Sequence, residues 1–171
     1  MQRLILLRHA KAERSARSGE DFDRPLAERG RADARLMGKV LADAGLTPDL
    51  ALVSSAARTR QTWEEASRAF GREIESRADK RLYLAASTTM RTMVEDLESQ
   101  DGTLILVGHN PGVHQLALHL LIEGAAAPST IARVTSKFPT ASAVAFEMDA
   151  AGRPTYDGVF FAADYGGGAG E

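Results

Sequence analysis

The 171-residue chain has no cysteine. That absence excludes disulfides, thiolate metal sites, iron–sulfur ligation and every cysteine nucleophile, including the thiol on which one large class of phosphatases depends. A disulfide-stapled secreted scaffold goes with them. Lysine is scarce as well: Lys11, Lys39, Lys80 and Lys137 are the only ones, and the rest of the 21 basic residues are arginines. Genome base composition is the ordinary cause of such a bias, but guanidinium forks also suit bidentate oxyanion binding, so single positions need weighing. No positive excess exists either, with 21 basic against 23 acidic residues, which argues against a nucleic-acid-binding surface. No apolar run approaches the ~20 residues that span a bilayer, and Met1-Gln2-Arg3 leads only into a short apolar segment. The expectation is a soluble cytoplasmic protein with neither nucleic-acid nor membrane partners.

What is present suits one domain, because an apolar fraction of 44% is enough for a single sizeable core. Arg3 to Leu7 is a continuous apolar run ending in Arg8-His9, the pattern of a strand buried on both faces. Residues 10–25 are polar and aperiodic, a loop. Pro25 then suits a first helical turn, and Gly30, Ala34, Met37, Leu41 and Ala44 form an amphipathic stripe closed by Gly45. A second strand, Leu50 to Val53, ends in Ser54-Ser55. A helix through Thr59, Thr62, Trp63, Ala66 and Phe70 follows and stops at Gly71. A short strand near Ile74 is weakly marked, and residues 88–99 read as a helix through Met90, Met93, Val94 and Leu97. Thr103 to Val107 is a further buried strand ending in Gly108-His109-Asn110, after which Pro111 opens a helix with Val113, Leu116, Ala117, Leu120 and Leu121. Ala125 to Ser129 reads as a loop, Ser142 to Met148 as a late strand, and Tyr156 to Phe161 as its hairpin partner across Gly152-Arg153-Pro154. The domain is expected to occupy residues 1–165, with 166–171 a flexible Gly-rich tail. Alternating buried strands and helices predict a single-domain α/β/α sandwich of three layers with a mainly parallel sheet.

In such sheets, ligand groups collect beyond the carboxyl ends of the strands. Three strand ends carry a consistent chemistry: Arg8-His9, Ser54-Ser55 followed by Arg58, and Gly108-His109. Arginine forks grip phosphoryl oxygens, and a neutral imidazole can attack phosphorus. Together they point to phosphoryl transfer through a phosphohistidine that requires no metal or other cofactor. The four histidines show no metal-ligand spacing. His119 is expected on the surface, His114 beside the apolar stripe, and Arg60 in solvent.

These residues resemble the histidine phosphatase (phosphoglycerate mutase-like) superfamily. Leu7-Arg8-His9-Ala10 is similar to its Arg-His-Gly motif, and the run from Ser54 to Thr62 to its Ser-x-x-x-Arg-x-x-x-Thr motif. Val107-Gly108-His109-Asn110 resembles the strand ending in the second histidine. Asp23-Arg24-Pro25-Leu26, His109-Asn110-Pro111 and the short length look most like SixA-type phosphohistidine phosphatases. The resemblance implies that His9 is the nucleophile and that Arg8, Arg58 and His109 hold phosphoryl oxygens, with Arg24 a further phosphate contact. Ala10 stands where the family has glycine, which requires an ordinary negative φ there.

Relatives that cleave phosphate esters carry a glutamate acid in mid-chain, whereas Arg81-Leu82-Tyr83-Leu84-Ala85 has no carboxylate. A departing imidazole needs less help than an alkoxide, so the substrate expected is phosphohistidine on a signalling or phosphotransfer protein. Asp21, Asp23 and Glu13 are candidate substitute acids, or else solvated loop charges, and Asp23 is a candidate partner that positions Arg24. A small phosphomonoester is the alternative substrate. A non-catalytic phosphate-binding module is the more remote one.

Overall fold

A computed structural model describes residues 1–168 of the chain. Six strands form one sheet: β1 (Arg3–Arg8), β2 (Leu50–Ser54), β3 (Glu75–Asp79), β4 (Thr103–Gly108), β5 (Ala143–Met148) and β6 (Pro154–Phe160). Their order is β3-β2-β4-β1-β5-β6. The first four run parallel, and β5 and β6 add an antiparallel edge. Helices α1 (Glu28–Asp43) and α2 (Ala57–Ser67) cover one face, while α3 (Ser87–Glu95), α4 (Gly112–Glu123) and α5 (Pro128–Ser136) cover the other. This is the three-layer α/β architecture expected from the pattern.

The period-two alternation of β1 explains how one apolar run serves two cores. Leu4 and Leu6 pack with Met90, Leu116, Leu120 and Val134 on one side, while Ile5 and Leu7 pack with Met37, Leu41 and Trp63 on the other. All four β1 side chains are essentially inaccessible, each worth ~1.5–3 kcal/mol relative to exposure. β1 lies between β4 and β5, so Arg8 at its end is carried to the middle of the sheet's carboxyl edge.

Two devices bring α2 close to α1. A Cβ on Gly38 would stand 2.2 Å from the Ala66 carbonyl oxygen, so only glycine allows this approach. Buried Glu65 on α2 accepts from Arg35 at 2.6 Å, Arg68 at 3.2 Å and Arg31 at 3.4 Å. The Arg35 hydrogen bond above all holds the Glu65 carboxyl below its usual range. These arginines are structural, which disposes of part of the arginine excess.

The structure corrects several local expectations. Pro25 precedes α1 rather than forming its first turn, and its carbonyl accepts from the Glu13 N–H at 2.8 Å. Ala44 is exposed, beyond the buried stripe. The 88–99 helix ends at Glu95, with turns beyond. The expected loop at 125–129 gives way to α5 at Pro128, whose single buried residue, Val134, left too thin a stripe to recognise. Loop 10–25 is pinned by a bridge between Ala12 and Leu26 and by a 3-10 turn at Asp21–Asp23. Of the expected tail, Gly167 donates to the Ala162 carbonyl at 2.9 Å and Gly168 to Asp33 at 3.0 Å. Residues 169–171 lie outside the described residues.

Candidate active site

Backbone pairing places His9 firmly. Its N–H donates to the Gly108 carbonyl at 3.1 Å, and its carbonyl accepts from Ala141 at 3.0 Å. The next N–H, of Ala10, donates to Thr62 Oγ1 at 2.9 Å, and that hydroxyl donates to the Arg58 carbonyl at 2.7 Å. The four-residue spacing of Arg58 and Thr62 thereby acquires a physical meaning: one helical face ties Arg58, just beyond the end of β2, to the histidine strand. Ala10 is fully buried in the core beneath and has no positive φ, so its Cβ is accommodated.

The imidazoles of His9 and His109 face each other with ring centroids 5.3 Å apart. His9 Nδ1 lies 2.7 Å from the Ala10 carbonyl oxygen. An acceptor there requires the proton on Nδ1, which leaves the Nε2 lone pair available. Ser54 Oγ sits 2.7 Å from His109 Nε2 and accepts a long hydrogen bond from the Ala56 N–H at 3.5 Å. The Ser54 hydroxyl thus fixes the orientation of the His109 ring through Nε2, while His109 Nδ1 is buried and has no hydrogen-bond partner among the described residues.

Burial pushes the His9 pKa down to about 3, partly opposed by the Ala10 hydrogen bond and reinforced by His109, Arg58 and Arg8. Burial and the Arg58 charge lower that of His109 to about 3 as well. Both rings are neutral near pH 7.

The cations come from separate elements. Arg8 Nη1 donates to the Phe138 carbonyl at 2.9 Å, and Asn110 Nδ2 donates to the same oxygen at 3.0 Å. His114, half-buried on α4, stacks on Phe138 at 5.5 Å with its Nε2 2.6 Å from the Val134 carbonyl, and so supports the segment that anchors Arg8. Arg58 is buried, and Arg24 approaches from the loop. A cavity of about 200 Å³ is lined by Arg8, His9, Lys11, Ala12, Arg24, Arg58 and Thr140. Three guanidinium groups and the His9 imidazole around one opening, with the buried His109 ring 5.3 Å from that of His9, can bind a phosphoryl group and present a nitrogen lone pair to it.

The candidate acids fare differently. Asp21 accepts from Arg24 at 2.9 Å through Oδ1, from Arg58 Nη2 at 3.1 Å through Oδ2, and from the Tyr83 hydroxyl. Its backbone carbonyl takes Arg58 Nη1 at 2.9 Å. The Tyr83 hydrogen bond and the two arginines hold its carboxyl well below the usual range. Asp21 is an ionised anchor, not an acid, because every neighbouring donor stabilises the anion. Asp21 is also the residue that pairs with Arg24; Asp23 accepts instead from Ser18 at 2.8 Å. Glu13 has an exposed side chain and meets Arg24 only through its carbonyl, at 2.7 Å.

Tyr83 is a site residue that sequence reasoning passed over. It stands edge-on to His109 at 5.6 Å and to Phe22 at 4.9 Å, and Asp21 holds its hydroxyl in the protonated form. Nothing in its local pattern distinguishes it from a packing tyrosine. His119 and Arg60 are exposed, as expected. Among the described residues no cluster of His, Asp and Glu is disposed to hold a metal ion, and no helix is long and apolar enough to cross a membrane.

Fold and site thus define an α/β protein with an imidazole–guanidinium centre at the carboxyl edge of a parallel sheet. Residues 4–83 match the family model of the histidine phosphatase superfamily, branch 1. An uncharacterised protein of Mycobacterium tuberculosis is 35% identical over 120 residues, which cover 70% of this chain and 73% of that one. Among solved structures, a protein of Agrobacterium tumefaciens named as a phosphohistidine phosphatase, SixA, is 32% identical, covers 94% of this chain and 97% of its own, and superposes with a TM-score of 0.81. A mycobacterial glucosyl-3-phosphoglycerate phosphatase shares the fold at TM-score 0.64 and 18% identity, covering 92% of this chain and 96% of its own. The chain belongs to the histidine phosphatase superfamily.

Proposed function

We propose that the protein is a phosphohistidine phosphatase that removes the phosphoryl group from a histidine side chain of another protein. The observation that carries this reading is the state of the carboxylate bonded to the site's arginines: Asp21 is held ionised by Arg24, Arg58 and Tyr83 and has no proton to give an ester leaving group. A general acid typically contributes ~100- to 10,000-fold to such a step. A phosphohistidine ring protonated at its other nitrogen departs as neutral imidazole without one. The resemblance to the protein named SixA supports the same substrate class.

In this mechanism Arg8, Arg24 and Arg58 gather the phosphoryl oxygens, and the His109 ring stands beside His9 to meet one more of them. The neutral His9 Nε2 attacks phosphorus in line, forming a phosphohistidine intermediate as the substrate's P–N bond breaks. The arginines and His109 are in place before charge redistributes, which is the largest stabilisation a site of this kind supplies. Water then attacks the intermediate, releasing phosphate and restoring His9. No metal or other cofactor takes part in these steps.

The test is a comparison of kcat/KM on a phosphohistidine-bearing protein with that on a panel of sugar phosphates. The phosphohistidine protein is expected to be turned over at least tenfold more efficiently. Faster turnover of a sugar phosphate would instead establish a phosphomonoesterase.

A further inference from the structure

Asp21 is bound to more of the site than any other rim residue, and the mechanism above uses it only to hold other groups. It touches Arg58 twice, through its carbonyl at 2.9 Å and Oδ2 at 3.1 Å, and also Arg24 at 2.9 Å and Tyr83. A carboxylate offers about four acceptor positions. Three donors occupy them here, which leaves one on Oδ1, and the side chain retains 45% of its accessible surface. His9 stands on the floor of the cavity, so in-line attack places the leaving group on the far side of phosphorus, toward the opening. Asp21 does not itself line the cavity, but it bonds two arginines that do, Arg24 at 2.9 Å and Arg58 at 3.1 Å.

We propose that Asp21 determines substrate specificity by accepting a hydrogen bond from the ring nitrogen of phosphohistidine that does not bear phosphorus, holding the departing ring protonated. The inference rests on the phosphohistidine reading above and adds a residue to it. As the His9 Nε2 lone pair bonds to phosphorus, the electron pair of the P–N bond returns to the substrate ring. The substrate is bound in its imidazolium form, the proton on the other ring nitrogen being taken from water before the step and held there by the Asp21 carboxylate, so the group leaves as neutral imidazole and no proton moves during the step itself. An ester in the same place would leave as alkoxide, beside a fixed negative charge that repels it.

The experiment measures kcat/KM of the wild type and of Asp21→Asn on free phosphohistidine and on para-nitrophenyl phosphate, whose leaving group has no ring nitrogen to protonate. Loosening of Arg58 lowers both activities by a few-fold. Loss of the charge lowers phosphohistidine turnover by a further tenfold or more, the scale of one charge-assisted hydrogen bond, so the ratio of the two falls at least tenfold. Asp21→Glu and Tyr83→Phe, which keep the charge, hold the ratio within about threefold of wild type. Asp21→Ser removes the charge by a second route if the Asn variant fails to fold, as judged by thermal melting. Equal losses on both substrates, or an unchanged ratio, would overturn the inference and leave Asp21 as a support for Arg58. A wild type that does not hydrolyse phosphohistidine would instead overturn the proposed function, so the two failures are distinguishable.

Discussion

The floor and the rim of the site are built by different physics. His9, His109 and Ser54 stand on strand ends, and ladder hydrogen bonds and buried hydroxyls fix them, as with the His9 N–H on Gly108 at 3.1 Å and Ser54 on His109 at 2.7 Å. Asp21, Arg24 and Tyr83 belong to a loop and a 3-10 turn and are held by one another through exposed or half-exposed polar contacts. Surface ion pairs are typically worth ~0–1 kcal/mol, whereas an unpaired buried polar group costs ~1–3 kcal/mol. The floor is therefore preorganised, and the rim is adjustable. In the proposed mechanism the chemistry lies in the first, and in the proposed role of Asp21 selection among substrates lies in the second.

The comparison breaks most visibly at the floor. His9→Ala should abolish hydrolysis of an activated aryl phosphate while far-ultraviolet circular dichroism stays unchanged. Turnover within tenfold of wild type would remove His9 as nucleophile. Arg58→Ala, which takes out the cation joining floor to rim, should lower kcat/KM by ~100- to 1,000-fold, the range for loss of one transition-state donor. A loss below tenfold would place Arg58 outside the reacting site.

A second test uses acid. Both histidine pKa values are lowered from 6.5 to about 3, so below pH 6.5 the unfolded chain takes up protons at these rings that the folded chain refuses. Their neutral burial is fully compatible with folding above pH 6.5, and stability is lost as pH falls from there toward 3. The melting temperature should drop over that interval, and a His9→Gln, His109→Gln double variant should show a shallower drop. Parallel curves would mean that the rings are not held neutral.

The smallest effects belong to the outer rim. Glu13→Gln and Asp23→Asn should each change kcat/KM by less than about twofold and stability by no more than ~0.5 kcal/mol, as expected for exposed side chains. A tenfold loss in either would reinstate that residue as an acid and blur the division between floor and rim.

The floor was legible in the sequence, and the rim only partly. Arg8-His9, Arg58 and Gly108-His109 each follow an apolar run short enough to be a strand, and a parallel sheet gathers strand ends at one edge. The helix at Pro128–Ser136 has a weak signature because it meets the core through Val134 and half-buried Ile131 alone. Asp21 was visible as one of three loop carboxylates, but a loop without periodicity gives no means of ranking them. Tyr83 lies 62 residues from Asp21 along the chain, and no local pattern announces their contact.

Composition alone excluded thiol chemistry, and hydrophobic periodicity alone placed two histidines and two arginines at strand ends, because burial of a strand on both faces leaves a signature in consecutive residues. The arginine excess was not interpretable at that level. Only the tertiary structure separated Arg31, Arg35 and Arg68, gathered on buried Glu65, from Arg8, Arg24 and Arg58, gathered at the cavity. It alone also placed the His9 proton on Nδ1 and gave Asp21 its donors, Arg24, Arg58 and Tyr83, which hold it as an ionised acceptor. Protonation is set by the partners a group meets in space, and those partners come from residues distant in the chain.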